Sequence, residues 1–365
     1  MKKENVFIGN LIVDKDSVID YTEVTGYITI LNSANLEAPE LKIVGDSVEV
    51  RENANLEAPA LKAVGGSVDV WMNANLPALT AVGGSVEVWR TADLPTLKTV
   101  GGCVRARTNT ELPALKAVGK HVAVYENARL PALNIVGDSI FVHNNYGLPA
   151  LKMVGGYVFV HNNYELNSPT LKTVGGYIVG YENAKLKVPH LKTVGGLIKM
   201  WDKAELKAHK EMKFNVPGAE EECRRELMRE FEAEGYSFAD GILAKIVSRR
   251  GNVWRVVVCG KKEISYVVSN GYAYSHGKTL KEARDGLMYK ISSRDKSKFK
   301  TWTLDRVVSK AEAIEAYRVI TGACEAGVRQ WMEHHKTPDR ITVKGIIELT
   351  KDTYGDKEFE TFFTK

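Results

Sequence analysis

Four cysteines and eight histidines are the first residues to weigh for chemistry. A thiol becomes a nucleophile when a nearby imidazole takes its proton, and Cys324 with His276, His334 or His335 is the combination this chain offers. The surrounding ITGACEAGV has the apolar, small-residue pattern of a helix interior, where a cysteine packs as a structural thiol. Gly277-Lys278-Thr279 ends like a phosphate loop, but Tyr272 stands where the first glycine of GxxxxGK is required. His143 and His161 lie one repeat apart with no cysteine or carboxylate in the same register, which argues against a metal pair. Glu312, Glu315 and Glu325 fall among helical residues and read as solvated charges. The expectation is a protein without catalytic residues, metal or cofactor.

Two other groups of side chains have types suited to binding. One is Trp71, Trp89, Arg107, Tyr125, His143, His161, Tyr181 and Trp201, spaced 18 or 20 residues apart, with Phe141 and Phe159 beside them. Tryptophan, tyrosine and arginine dominate interface hot spots, so these ten read as a partner-binding surface; the competing reading is stacking that only stabilises a sheet. The other group is Arg249, Arg250, Arg255, Lys261, Lys262, Lys278, Lys281, Arg294, Lys298 and Lys300. Residues 241–310 hold 16 basic and 5 acidic side chains, a field suited to nucleic acid or an acidic protein groove. Trp254, Tyr266, Tyr272, Tyr274 and Trp302 are candidates to stack on bases there.

The first group must be positioned by a repeat. Valine recurs at Val24, Val44, Val64, Val82, Val100, Val118, Val136, Val154, Val174 and Val194, at intervals of 18 or 20 residues. A fixed period means one supersecondary unit repeated. Within the unit, Val86 and Val88 alternate with Ser85, Glu87 and Trp89, the period-two pattern of a strand with one buried face. Leu76, Leu79 and Val82 form further apolar edges, so each coil points three sides inward and buries them only by stacking. The long units add two residues before the proline, as LEAPAL against LPAL, which lengthens a corner and spares the strand. Glycine pairs before the strand suit a tight bend. Asparagines at Asn53, Asn73, Asn109, Asn127, Asn145, Asn163 and Asn183 suit a ladder inside a turn. With strands about 4.8 Å apart, these positions, extended back through Arg51 to Leu31, form one outward column about 43 Å long.

The unit LxxLxxVGGxVxVxxNxxL resembles a short leucine-rich repeat, especially the coil of receptor L-domains, over residues 20 to 206. The resemblance implies a right-handed parallel β-solenoid of about ten coils and a habit of binding, with no common ligand. The expected organisation is this solenoid over 1–206, a linker and capping helix over 207–234, and an α+β domain over 235–365. In the last, apolar runs split by RRGN, GKK and SNG predict an antiparallel meander of three or four strands. Helices are expected in TLKEARDGLMYKISS, SKAEAIEAYRVITGACEAGVRQWMEHH and TVKGIIELTKDTYG.

The segments ADGILAKI, SHGKTLKEARDGLMYKISSRDKSKF, EAYRVITGACEAGVRQWME and GIIELTKDTYG resemble a C-terminal module of phage and prophage proteins associated with blocking bacterial immunity. That resemblance implies an inhibitor of a host defence protein, such as a CRISPR RNA-guided nuclease or its RNA complex. The alternative is a stand-alone nucleic-acid-binding protein using the basic meander. Scattered cysteines suit reduced thiols, and no apolar run nears the ~20 residues that cross a bilayer. The expected location is the host cytoplasm, with no membrane partner and the oligomeric state left open.

Overall fold

The computed structural model describes residues 5–364 apart from 32, 52, 72, 90, 91, 108, 109, 126, 127, 144, 145, 217, 272, 293, 324 and 352. The chain forms two compact units: residues 1–238 with 243–245 and 258–262, and residues 239–242, 246–257 and 263–365.

The first unit is a parallel β-solenoid of about ten turns. Two sides of each coil are strands in continuous eleven-stranded parallel sheets. The lateral sheet runs from Val6–Phe7 to Thr193–Val194, and the platform sheet from Leu11–Val13 to Ile198–Met200. The third side is a five-stranded sheet from Ser17–Val18 to Ala92–Asp93 and a four-stranded sheet from Tyr146–Gly147 to Glu205–Ala208. Between them the described residues give only the isolated bridge Glu111–Arg129. The two-residue deletion of the short coils thus removes corner strand and leaves the platform register untouched: Val68, Asp69 and Val70 face Val86, Glu87 and Val88 across it. One coil lies ahead of the repeat read from sequence, at Val6–Val18, with Phe7 standing in register with Val24 in place of the signature valine.

Inward valines and leucines of all three sides fill one core, fully buried from Val24 to Val194. The paired glycines answer to close approach. A Cβ on Gly155 would lie 2.1 Å from the Gly137 carbonyl oxygen, and one on Gly137 2.3 Å from that of Gly119. Neither glycine needs a positive φ, so coil-to-coil contact rather than a bend demands them. Serines continue the rail: the backbone N–H groups of Ser67, Ser85 and Cys103 each donate to the Oγ of the serine one coil earlier at 3.0 Å. Among the described turn asparagines one rung of a ladder forms, on the exposed side of the turn. Asn53, Asn163 and Asn183 take φ of 60°, 65° and 55°, a left-handed conformation asparagine tolerates well. Asn183 Nδ2 donates to Asn163 Oδ1 at 2.9 Å on the exposed side. Asn109, Asn127 and Asn145 lie outside the described residues.

Helix α1 (Ala219–Ala233) opens with Glu220, Glu221 and Glu222, carboxylates that suit a helix N-terminus. It does not cap the last coil. It lies across the lateral sheet, where Cys223, Leu227 and Phe231 pack with Ala63, Ala81, Ala117, Ile135 and Met153. Alanines and glycines beside Ile135 and Met153 make the groove. Glu234 pairs with Lys98 at 2.8 Å and Lys116 at 3.5 Å, and Glu230 Oε1 accepts from Asn134 Nδ2.

Beyond α1 the strands Tyr236–Ala239, Ile242–Arg250, Val253–Val258, Ile264–Ser269 and Tyr274–Gly277 form a sheet in chain order. The last three pair antiparallel, one strand more than the widest meander expected. The helices are α2 (Leu280–Ile291), α3 (Lys310–Thr321), α4 (Glu325–His334), α5 (Val343–Leu349) and α6 (Asp356–Thr364). The long helical segment from Ser309 breaks at Gly322, which takes φ +79° and accepts the end of α3. Glu312 is no idle surface charge: its Oε2 accepts the N–H and O–H of Ser309 in a capping box. Phe299, Phe359, Val343 and Ile320 centre this second core.

Candidate functional site

The residue after each platform strand is held by its own backbone. Trp71 N–H donates to Val50 O at 3.0 Å, Trp89 N–H to Val70 O at 3.1 Å, and Tyr125, His143, His161 and Tyr181 repeat the bond one coil further each time. Their side chains leave the platform at the spacing of parallel strands, ~4.8 Å, which is close to ring-stacking distance. A continuous ladder results. Trp71 stacks on Trp89 with centroids 5.0 Å apart. The Arg107 guanidinium sits 4.0 Å from the Trp89 centroid and 4.9 Å from that of Tyr125. Tyr125 stacks on His143 at 4.9 Å, His143 on His161 at 4.2 Å, and His161 on Tyr181 at 5.6 Å.

Arg107 fills the place of a ring because Glu87 steadies it: Nη2 donates to Oε1 at 2.8 Å while Arg105 Nη1 takes Oε2 at 2.9 Å. Trp201 stands beyond the stack, 56% exposed, as does Arg51, which turns to Glu49. The ladder residues are half-buried or exposed, with Trp71 and Tyr181 the most open of the stacked rings. Burial, with the neighbouring His161, holds the His143 imidazole below its ordinary value.

A second column lies beside the first. Phe141 stacks on Phe159 at 5.0 Å. A third, not anticipated, follows the glycines: Tyr157 stacks on Tyr177 at 5.3 Å and meets Phe159 edge-on, while His121 meets Phe141 edge-on. Its signal was present as the tyrosine of VGGYVFV and VGGYIVG. Toward the other end the second column is acidic, with Glu49, Asp69 and Glu87 on successive coils. Burial and the flanking Glu87 and Glu49 raise the Asp69 carboxyl above its usual range. The platform therefore carries carboxylates and tryptophans on its early coils, and rings in both columns on the coils of Phe141 with His143 and Phe159 with His161.

The basic group distributes differently. Arg250, Arg255, Lys278, Lys281 and Lys300 are exposed, as are Lys261 and Lys262 in the turn after Val258. Arg249 lies 4.6 Å from the Trp254 ring centroid. Arg294 is used internally: Nε donates to Val319 O at 2.8 Å and Nη1 to the carbonyls of Tyr289 and Lys290, joining the ends of α2 and α3. Lys298 bridges both oxygens of Glu315. Trp254 and Trp302 are buried and serve the core rather than bases, because alternation on a short strand and a tight turn directs them inward. Tyr274 leans on Trp254 at 5.8 Å, and Tyr272 lies outside the described residues.

Cys324 lies outside the described residues, and His276 is buried with Nε2 2.9 Å from Ser265 Oγ. The nearby Asp240 carboxylate accepts the backbone N–H of His276 and pairs with the Lys290 ammonium, which also donates to Tyr274 O. Both members of that ion pair are almost fully enclosed, the setting of a fold-fixing contact. Cys223 and Cys259 are buried and their thiols pushed up to about 12 by desolvation, which removes their nucleophilicity. Among the described residues no His, Cys, Asp and Glu cluster has metal-holding geometry, and no helix is long and apolar enough to cross a membrane.

The class these features define is a parallel β-solenoid bearing an exposed ring ladder, joined to an α+β segment. No protein-family model, curated protein or solved structure matches the chain.

Proposed function

We propose that the chain is a non-enzymatic binding protein whose partner docks on the platform face. The observation carrying this reading is the unbroken stack from Trp71 to Tyr181, flanked by a second ring column and left open on its outer edge. Ring stacking alone contributes ~0.5–1.5 kcal/mol per pair, and threonine or valine would stabilise the same sheet without an exposed apolar band. Such a band on a soluble surface calls for a cover.

The narrower reading, a phage or mobile-element protein that inhibits a host RNA-guided nuclease, is supported by the resemblance of the four C-terminal segments. The test has two parts. Nuclease cleavage is measured with the purified chain in excess, and capture from bacterial lysate is compared between the parent and Tyr125→Ser/His161→Ser/Tyr181→Ser, with and without nuclease treatment. Inhibition, and loss of the captured species in the ladder variant alone, are the expected results. Capture unaffected by the ladder variant removes the platform as the docking face.

A second reading is nucleic-acid binding by the basic segment, favoured by the exposed Arg250, Arg255, Lys278, Lys281 and Lys300. It requires affinity for RNA or DNA that falls steeply with salt and survives the ladder substitutions.

A further inference from the structure

We infer that the solenoid self-associates head to tail, the last coil of one copy continuing onto the first coil of the next. This stands apart from the platform reading and uses different surfaces.

The first observation is the open edges. Among the described residues, Leu11–Val13 and Ser17–Val18 pair only with the coil after them, and Ile198–Met200 and Glu205–Ala208 only with the coil before them. The lateral sheet alone continues past the repeat, through Val194 N–H to Lys213 O at 2.8 Å. Because α1 lies on the lateral sheet, neither open edge is covered by it. An open strand edge is a template for pairing.

The core is also unfinished at both ends. Phe7, Leu11 and Ile19 at one end and Ile198, Met200 and Leu206 at the other are only partly buried, while the equivalent side chains between them are enclosed. Ile12 and Val18 at the first coil, and Leu197 at the last, are exposed.

Charge then selects the partner. Residues 1–40 hold three basic and seven acidic side chains, a net of −4, and residues 181–216 hold eight basic and four acidic, a net of +4. Two first coils repel, and so do two last coils; a last coil attracts a first coil. Strand polarity agrees, since only the head-to-tail contact extends the sheets in the parallel sense that every solenoid pair already has. Lys199 and Lys207, exposed on the last strands, oppose pairing with a neutral or basic edge and favour an acidic one. A heterologous contact of this kind propagates into rows rather than closing as a dimer.

The test is sedimentation of the full chain over a range of concentrations at low and high salt. The expected result is a mass that grows with concentration in steps of 40.5 kDa, with association weakened at least about tenfold by 0.5 M salt. Lys199→Glu/Lys207→Glu and Asp14→Lys/Glu37→Lys should each be monomeric alone, with unchanged circular dichroism. Mixing the two should restore association, because each now offers the end the other needs. A parent that stays monomeric at low salt overturns the inference, as does association that persists in both variants separately.

Discussion

Asp69 stands between Glu49 and Glu87 on successive coils, so its ionisation is penalised by burial and then by both neighbours. Folding raises its pKa above 3.8; the unfolded chain therefore holds the charged form more readily. The resulting destabilisation is present above the folded pKa and disappears as pH falls below the unfolded one. Asp69→Asn should accordingly be more stable than the parent at pH 7, by less than about 1 kcal/mol because the site is screened by solvent. The gain should vanish by pH 3. Urea midpoints at the two pH values read this directly, and a variant weaker than the parent at pH 7 would mean that the carboxylate holds a structural bond. Its retention beside Trp71 and Trp89 is consistent with a face shaped for contact rather than for stability alone. Glu87 shows the opposite solution, its two oxygens divided between Arg105 and Arg107.

Helix α1 is the element whose role departs furthest from expectation. Its start was legible in GAEEE and its apolar spacing in Cys223, Leu227 and Phe231, but the surface it would meet was not. That surface is built from outward side chains and glycines of successive coils, among them Ala117, Ile135 and Met153 with Gly137, Gly155 and Gly175, each unremarkable in its own unit and visible as a groove only once stacked. Phe231 is fully enclosed there, stacked 5.2 Å from Phe238. Phe231→Ala should cost about 3–5 kcal/mol, read as a lower guanidinium midpoint; a loss under about 1 kcal/mol would show that the helix does not hold the sheet. The same logic explains the rest. The repeat, its strand register and the ring column follow from local alternation and were readable, as were the starts of α2 and α3. The third ring column was hidden because Tyr157 and Tyr177 occupy a position that varies along the repeat, with serine at Ser47, Ser67, Ser85 and Ser139, cysteine at Cys103 and histidine at His121. The fates of Arg294, Lys298 and Trp302 depend on contacts 17 to 61 residues away in sequence, which no local pattern encodes.

At the scale of the whole solenoid, each coil touches its neighbours and little else, so stability is a sum of coil and interface terms and ends fray first. Helix α1 modifies this by tying several coils together: Glu234 reaches Lys98, Cys223 Sγ donates to Val136 O at 3.4 Å, and a Cβ on Gly175 would meet Glu220. The coils between Lys98 and Gly175 can open only together with the helix or against it. Amide hydrogen exchange should therefore show a plateau of protection over the platform strands Val104–Ala106, Val122–Val124, Ile140–Val142 and Val158–Val160. It should fall away toward Leu11–Val13 on one side and Ile198–Met200 on the other. Phe231→Ala should lower the plateau selectively and leave the end coils unchanged. Protection that is uniform along the stack, or highest outside the helix-bound coils, would mean that the glycine and serine rails alone set cooperativity. In dilute solution the end coils should exchange fastest, and at concentrations where copies join they should gain protection while the plateau does not, which separates the contribution of the helix from that of the neighbouring molecule.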